Sequence, residues 1–230
     1  MNEKQTLKLT YIAHSGFILS DGQYTLLFDP FITGNPNATI KASDIKADFI
    51  FVSHAHGDHL GDAFELAKSN DGLVIAVHEL AVFAEEQGVK AHGMAIGGEC
   101  KFPFGSVKLT IAHHSSEAPN GKYMGTAAGA VVKFGGKTIY FCGDTGLFLD
   151  MKLIGEMSKP DIMLVPIGDN YTMGIDDAVK AVEFVKPQLA IPMHYNTFPV
   201  IEADPNEFVS KVEKLGVKAR VIGYGEQIEL

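Results

Sequence analysis

The sequence predicts an α/β protein in which two similar layers, each made of a sheet and its helices, pack face to face. Each half of the 230 residues begins with strands that read as hairpins and then passes into alternating strands and helices. Hydrophobic residues make up 46% of the chain, enough for a full core. Because no linker, short-period repeat or low-complexity tract interrupts this pattern, we expect one domain over residues 1–230.

The first half is expected to open with an antiparallel meander. The apolar stretches LKLTYI, FILS and YTLLFDP surround the dipeptide Asp21-Gly22, which favours a hairpin turn. A continuous apolar run, DFIFVS, then leads into helical periodicity over residues 60–67. The strand LVIAV and a helix over about residues 79–87 complete this half.

The second half repeats the same order. The segments VKLTIAHHSS and AAGAVVKFGGKTIYFCGD predict paired antiparallel strands. Strand-helix units follow, formed by DIMLVPIGD with a helix near residues 175–185, then LAIPMH with a helix over about residues 206–215, and finally KARVIGY. The repeated order is the reason to expect two similar layers.

Charge and cysteine content exclude several classes of protein. Acidic residues outnumber basic ones by 28 to 19, and the net charge of −9 disfavours a general binder of nucleic-acid backbones. The start MNEKQTLKLTYIAHSG lacks the apolar region of a signal peptide, and no stretch approaches 18 apolar residues. We therefore expect a cytoplasmic protein that does not enter a membrane. Cys100 and Cys142 are expected to be two reduced packing thiols.

The segment FVSHAHGDHLGD, residues 51–62, places a cluster of histidines and aspartates directly after an apolar run. His54 and His56 are two positions apart, so at the end of an extended strand their side chains point the same way. Asp58 and His59 follow where the next helix is expected to begin. Unpaired polar groups beside a core would cost several kcal/mol each, whereas a divalent metal satisfies imidazole and carboxylate together. The segment therefore predicts a metal site.

This motif, SHAHGDHLGD, resembles the signature of the metallo-β-lactamase superfamily. Further segments resemble, in order, the UPF0173 family of metal-dependent hydrolases: AHSGFIL, LLFDPFITGNP, AHHSS, YFCGDTGLFLDM, LVPIGDNYTMG and IPMHYNTFP. That family is similar to the ascorbate-6-phosphate lactonase and N-acyl-phosphatidylethanolamine phospholipase branches of the superfamily. The resemblance implies a four-layer αβ/βα sandwich, with two mixed sheets, helices on the outer faces and metals at one edge.

The resemblance also implies a set of seven metal ligands. The first metal would take His54, His56 and His114, the second would take Asp58, His59 and His194, and Asp144 would bridge the two. Strand alternation does not decide between His113 and His114, but the family pattern Ala-x-His-Ser-Ser selects His114. Asp58 is also predicted to be catalytic, as the group that shuttles a proton.

Five further residues are predicted to support the ligands or to line the pocket. Asp29 in FDP matches a superfamily position whose carboxylate orients a histidine ligand. His14 in AHSG matches the family and is not counted as a ligand. His113 is given a supporting or solvent-facing role, and Asp169 and Tyr195 are predicted to lie at the pocket.

These residues predict a hydrolase that acts on a small-molecule ester, lactone or phosphoester. Two divalent ions would hold a bridging hydroxide, because they lower the pKa of water from ~15.7 toward ~7. Zinc is the default, and Mn²⁺, Fe²⁺, Co²⁺ or Ni²⁺ also fit a set of histidine and aspartate ligands. The alternatives are a nuclease or phosphodiesterase, a metal-bearing sensor without turnover, and a di-iron protein. No nucleic-acid or membrane partner is expected, and homo-oligomerisation stays open.

Overall fold

In the computed structural model, which describes residues 6–230, two seven-stranded sheets face each other. The first sheet is mixed. Its strands are β1 (Lys8–Ala13), β2 (Gly16–Ser20), β3 (Thr25–Phe28), β4 (Phe49–Phe51), β5 (Leu73–Val77), β6 (Ala91–Met94) and, from the far end of the chain, β14 (Gln227–Glu229). Strands β14, β1, β2 and β3 are antiparallel neighbours, and β3 to β6 are parallel.

The second sheet repeats this arrangement. Its strands are β7 (Glu99–Phe102), β8 (Gly105–Ile111), β9 (Ala128–Phe134), β10 (Lys137–Phe141), β11 (Ile162–Pro166), β12 (Leu189–Met193) and β13 (Lys218–Ala219). They follow one another in chain order, antiparallel from β7 to β10 and parallel from β10 to β13. Both halves thus have the predicted order of hairpins followed by parallel strands.

Helices connect the parallel strands and pack on the sheets. They are α1 (Gly57–Leu60), α2 (Ala63–Asn70), α3 (His78–Glu86), α4 (Met151–Ser158), α5 (Ile175–Val185) and α6 (Pro205–Glu213). On α5 the buried residues are Ala178, Ala181, Val182 and Val185. This i, i+3, i+4, i+7 spacing gives the helix one apolar face, which explains its position against β11.

The buried apolar side chains of both sheets form one core between them. Phe28 on β3 and Phe141 on β10 meet across this core, with ring centroids 5.1 Å apart. Near the other end of the core, the rings of Phe49 and Phe104 lie 4.7 Å apart. The two sheets therefore share one core.

Some predicted elements differ from the structure. The helical periodicity over residues 60–67 is divided between α1 and α2, because Gly61 has a positive φ of 41° and ends α1. Of KARVIGY only Lys218–Ala219 forms a strand. The sequence patterns missed α4, β6, β7 and β14, which are short or lack a clear alternation of apolar residues.

Within residues 6–230, no helix is both long and apolar enough to cross a membrane. The longest helix, α5, has 11 residues, whereas a span needs about 20. Our expectation that the chain starts without a signal peptide concerns residues 1–16, and the first five of these lie outside the described residues.

Candidate metal centre

Loops that follow strands of both sheets bring the seven predicted ligands to one edge of the sandwich. The first sheet contributes the loop after β4, together with α1, and the second contributes the loops after β8, β10 and β12. We expected His54 and His56 at the end of an extended strand, but β4 ends at Phe51 and both residues lie in the loop beyond it. The residues concerned are His54, His56, Asp58, His59, His114, Asp144 and His194.

Three imidazoles form a compact group, here called the three-histidine cluster: His54, His56 and His114. Nε2 of His54 lies 3.0 Å from Nδ1 of His56, which lies 3.3 Å from Nε2 of His114. Two nitrogens bound tetrahedrally to zinc at 2.0–2.1 Å are about 3.3 Å apart. The spacing of the cluster therefore suits one metal ion. Burial lowers the pKa of both His54 and His114, which favours the neutral, ligating form.

The carboxylate of Asp144 lies between this cluster and a second group. Its Oδ2 is 2.9 Å from Nε2 of His194 and 3.1 Å from Nε2 of His59. The same oxygen is 3.8 Å from Nε2 of His114. Burial would raise the pKa of Asp144, but His194 and His59 outweigh it and hold that pKa well below its usual range. An ionised carboxylate in this position can serve both groups.

Asp58 belongs to the second group. Ligand atoms of His14, Asp58, His59 and His194 all lie within 4.8 Å of one another. The Asp58 side chain is 30% exposed, whereas that of His59 is fully buried. Burial would raise the pKa of Asp58, but the hydrogen bond with His14 and the nearby His59 lower it below the usual range. Asp58 is therefore an ionised group that reaches the cavity.

Asp29 contacts His59, a member of the predicted ligand set. Its Oδ2 lies 2.7 Å from Nδ1 of His59 and accepts a hydrogen bond from the Ser53 hydroxyl, while the backbone N–H of Ser53 donates to Oδ1 over 2.8 Å. The Ser53 hydroxyl also lies 2.9 Å from Nδ1 of His54. Ser53 thus contacts both His54 and Asp29, the residue that contacts His59. The sequence analysis did not predict this role of Ser53. Its place directly before His54 was the available signal.

His14 connects both halves of the site. Its Nε2 lies 3.2 Å from Oδ2 of Asp58, and its Nδ1 lies 2.9 Å from Oγ1 of Thr197. Its backbone carbonyl accepts from the backbone N–H of His194 over 2.7 Å. Burial and the neighbouring His194 lower the pKa of His14 to about 4. Since ionised Asp58 can only accept, neutral His14 must donate from Nε2, which leaves Nδ1 to accept from Thr197.

Three of these buried residues have left-handed backbone conformations. The φ angles are 58° at His14, 37° at Asp29 and 55° at His194. Residues other than glycine rarely adopt such angles, and each case costs of order 1–3 kcal/mol. Strain of this kind collects where a fold positions functional side chains. The concentration of strained backbone around one cavity supports a functional role for this edge of the sandwich.

Buried polar atoms in the site show what kind of ligand fits. Within residues 6–230, Oδ1 of Asp144 and Nδ1 of His194 have no hydrogen-bond partner. Nε2 of His59 lies 3.1 Å from Asp144 Oδ2 but also lacks hydrogen-bonding geometry. Buried polar groups normally have partners, and a cation satisfies imidazole nitrogens and carboxylate oxygens at once. The residues present therefore fit divalent metal ions.

Three of the residues predicted to support the ligands or to line the pocket lie away from the cavity, and for His113 this is the solvent-facing role that the sequence analysis left open. His113 is exposed and stacks on Phe148, with ring centroids 4.8 Å apart, so the structure brings His114 to the cluster instead. Asp169 is exposed and faces a neighbouring acidic groove, because its left-handed backbone turns the chain there. Tyr195 is buried in the core, and burial raises the pKa of its phenol. Its apolar ring is better accommodated there than at the polar edge.

The metal-binding groups open onto a cavity of about 430 Å³. Four residues that were not predicted as site residues help to line it: Ser115, Tyr171, Phe198 and Val200. They come from the loops after β8, β11 and β12, and three of them, Ser115, Tyr171 and Phe198, lie in segments that resemble the family. A larger hollow of about 640 Å³ adjoins residues 196–204, but it contains no histidine. We take the smaller cavity as the candidate active site.

The fold and the cavity define a class of protein, and comparison with known proteins agrees. The family model described as beta-lactamase superfamily domain matches residues 24–195. The structure of Igni18, a metallo hydrolase from the archaeon Ignicoccus hospitalis, superposes with a TM-score of 0.91 at 40% identity over 98% of both chains. The protein is thus a metal-dependent hydrolase of the beta-lactamase superfamily, with the predicted two-sheet sandwich.

Sequence relatives identify the family within this class. A UPF0173 metal-dependent hydrolase of Carboxydothermus hydrogenoformans is 50% identical over 226 residues, which cover 97% of this chain and 100% of the relative. Another, from Archaeoglobus fulgidus, is 48% identical over 220 residues and covers 94% of this chain and 95% of the relative. The chain belongs to the UPF0173 family of metal-dependent hydrolases.

Proposed function

We propose that this protein hydrolyses a small-molecule ester, lactone or phosphoester at a dinuclear metal centre. The observation that carries the proposal is the convergence of five histidines and two aspartates, from loops of both sheets, at one edge of the sandwich, where five of the seven line one cavity. Oδ1 of Asp144 is buried without a hydrogen-bond partner within the described residues, and a bound cation would satisfy it. The cavity volume of about 430 Å³ lies in the range of small-molecule sites.

The geometry supports two groups of ligands. The three-histidine cluster would hold the first metal, and Asp58, His59 and His194 would hold the second. Oδ2 of Asp144 lies near histidines of both groups, which supports a bridging role. When bound, two divalent ions supply hydroxide at neutral pH and polarise the oxygen of the substrate. Zinc is our first choice, with Mn²⁺, Fe²⁺, Co²⁺ and Ni²⁺ as alternatives.

Asp58 is the residue best placed to move protons. For an ester, the oxygen of water forms a bond to the acyl carbon, the bond to the alcohol oxygen breaks, and the proton released by water ends on the alcohol. An ionised carboxylate that reaches the cavity can carry that proton between the two oxygens. His14 fixes the orientation of this carboxylate through its Nε2–H. Asp29 and His59 form a buried pair that supports this part of the site.

The surroundings support a small molecule as the partner. The net charge of −9 opposes binding of a nucleic-acid backbone, so we propose no such partner. We also propose that the protein works in the cytoplasm as one domain. A phosphodiesterase and a sensor without turnover are the alternatives, and the experiment below separates them.

The test is metal analysis followed by a screen for hydrolysis. Purified protein is loaded separately with Zn²⁺ and Mn²⁺ and assayed against carboxylic esters, lactones and phosphodiesters. We expect about two metals per chain and turnover of at least one class, and we expect His56→Ala to bind about one metal fewer and to lose turnover. Metal without turnover of any class would favour the sensor, and absence of metal after loading would refute the proposal. Exclusive turnover of phosphodiesters would favour the alternative enzyme.

A further inference from the structure

The cavity has one wall of aromatic and aliphatic side chains, here called the apolar wall: Tyr171, Phe198 and Val200. Tyr171 is 57% exposed and Val200 is 56% exposed. Apolar side chains that lie exposed beside a polar site are typical of surfaces that a ligand covers. The metal-binding groups explain the polar part of the cavity but do not explain this wall.

Two of the three residues of the apolar wall, Phe198 and Val200, are held by packing or by a constrained backbone. The ring of Phe198 stacks on Phe31, with centroids 6.4 Å apart, and meets the edge of His14 at 5.7 Å. Val200 belongs to the short 3₁₀ helix Pro199–Ile201, whose first residue is a proline. A preformed wall of this kind costs a ligand little ordering free energy on binding.

The cavity offers no positive side chain to a substrate. Of the nine residues between positions 6 and 230 that line it, none is Lys or Arg. Apart from the histidines and carboxylates assigned to the metals, the lining contains only Ser115, Tyr171, Phe198 and Val200. A charged substituent placed against the apolar wall would lose hydration without gaining a partner, which is costly.

We infer that the substrate is a carboxylic ester or lactone whose substituent beyond the reacting carbonyl is uncharged and apolar. The inference rests on the proposed hydrolase function and narrows it. The reacting group faces the metal-binding residues, and the substituent packs on the apolar wall. The cavity of about 430 Å³ has room for a small alkyl or aryl substituent.

Two substrates that differ in one charge test the inference. Metal-loaded protein is assayed with 4-nitrophenyl hexanoate and with the 4-nitrophenyl monoester of adipic acid. Both have six acyl carbons and the same leaving group, but the second ends in a carboxylate. We expect kcat/KM to be at least about tenfold lower for the adipate ester, the size of effect that one methylene group exerts in an apolar pocket. Reactions without protein correct for spontaneous hydrolysis.

Charged variants connect this preference to the apolar wall. Val200→Lys adds a cation at the wall, and we expect it to shift the ratio of the two kcat/KM values toward the adipate ester by at least about tenfold. Leu153→Lys is the matched control, because Leu153 is 53% exposed on α4 and does not line the cavity. It should leave the ratio unchanged. Tyr171→Lys provides a second variant at the wall if Val200→Lys does not fold.

The outcomes separate the inference from the proposed function. Equal kcat/KM for the two esters, a preference for the adipate ester, or equal ratios in Val200→Lys and Leu153→Lys would overturn the inference and leave the hydrolase function intact. Failure to hydrolyse any ester, lactone or phosphodiester with metals bound would defeat the proposed function and the inference together. Turnover of phosphodiesters alone would defeat the inference and favour the phosphodiesterase alternative.

Discussion

At the scale of single residues, adjacent positions in the chain have different environments. His114 points Nε2 at His56, 3.3 Å from its Nδ1, whereas its neighbour His113 is exposed and stacks on Phe148. The strand β8 ends at Ile111, so the two histidines lie on irregular backbone. Only the path of that loop determines which imidazole reaches the site.

The first prediction separates these two histidines. We expect His114→Ala to bind about one metal fewer per chain and to lose hydrolysis, because it removes one nitrogen of the three-histidine cluster. We expect His113→Ala to keep most of both, since His113 contacts no metal-binding group that we assign. Metal is counted by atomic emission spectroscopy after equilibrium dialysis. Retention of full metal content in His114→Ala, with loss in His113→Ala, would reverse our assignment.

The second prediction concerns Asp58. Asp58→Asn keeps the size and one acceptor oxygen but removes the charge and the basicity, so we expect weaker binding at the second site and lower turnover. General acid-base steps contribute about 10² to 10⁴-fold. Turnover is therefore measured with metal titrated to full occupancy. Near wild-type turnover at full occupancy would leave Asp58 as a ligand only.

At the scale of elements, the site depends on a sharp break between two helices. Gly61 ends α1 with a φ of 41°, and a Cβ there would clash with the Pro30 carbonyl oxygen and lie 2.7 Å from Phe31 Cα. The side chain of the next residue, Asp62, accepts hydrogen bonds from the backbone of Ile32 and Thr33. This contact places α1, and with it Asp58 and His59, against the loop that follows β3.

The third prediction compares two glycines with positive φ. Gly88 has a φ of 75° and open space where a Cβ would be, so Gly88→Ala should cost only the left-handed backbone penalty, about 1–2 kcal/mol. Gly61→Ala adds a clash with backbone atoms and should lower the free energy of unfolding by more. Urea unfolding at equal metal content measures both. Equal losses would show that the contact with Pro30 is not tight.

At the scale of the whole molecule, the site joins the two sheets. Its residues from the first half are His54, His56, Asp58 and His59, and those from the second half are His114, Asp144 and His194. The backbone contact between His14 and His194 and the side-chain contact between His14 and Thr197 cross the same boundary. Metal bound there would hold the two halves together, since it binds the folded arrangement and not the unfolded chain.

The fourth prediction follows from this placement. Metal at a hundred times its dissociation constant stabilises the folded state by about 2.7 kcal/mol. For a chain of this size that corresponds to a fall in Tm of roughly 5 to 10 °C when a chelator removes the metal. Differential scanning calorimetry with and without chelator measures the fall, and His56→Ala should show a much smaller one. An unchanged Tm in the wild-type protein would contradict metal binding at the boundary.

The local pattern of the chain determined the class of fold and most of the candidate site. Period-2 and period-3.6 apolar patterns depend on neighbours within one element, so the hairpins, the parallel strands and α5 were predictable. The motif SHAHGDHLGD is equally local, since four candidate ligands lie within six residues. The other three candidate ligands, His114, Asp144 and His194, were predicted only from the resemblance to a family, because no short sequence pattern connects them with the motif.

Only the tertiary structure decided how distant segments meet. β14 pairs with β1 at the other end of the chain, and Ser53 and Thr197 were recognisable as supports only once Asp29 and His14 had positions. Asp169 faces away from the cavity and Tyr195 lies in the core, whereas Phe198 and Val200 line the cavity. These outcomes depend on loop paths between packed elements, where the backbone follows no repeating pattern. The physical reason is that a contact between distant residues leaves no trace in the local sequence around either one.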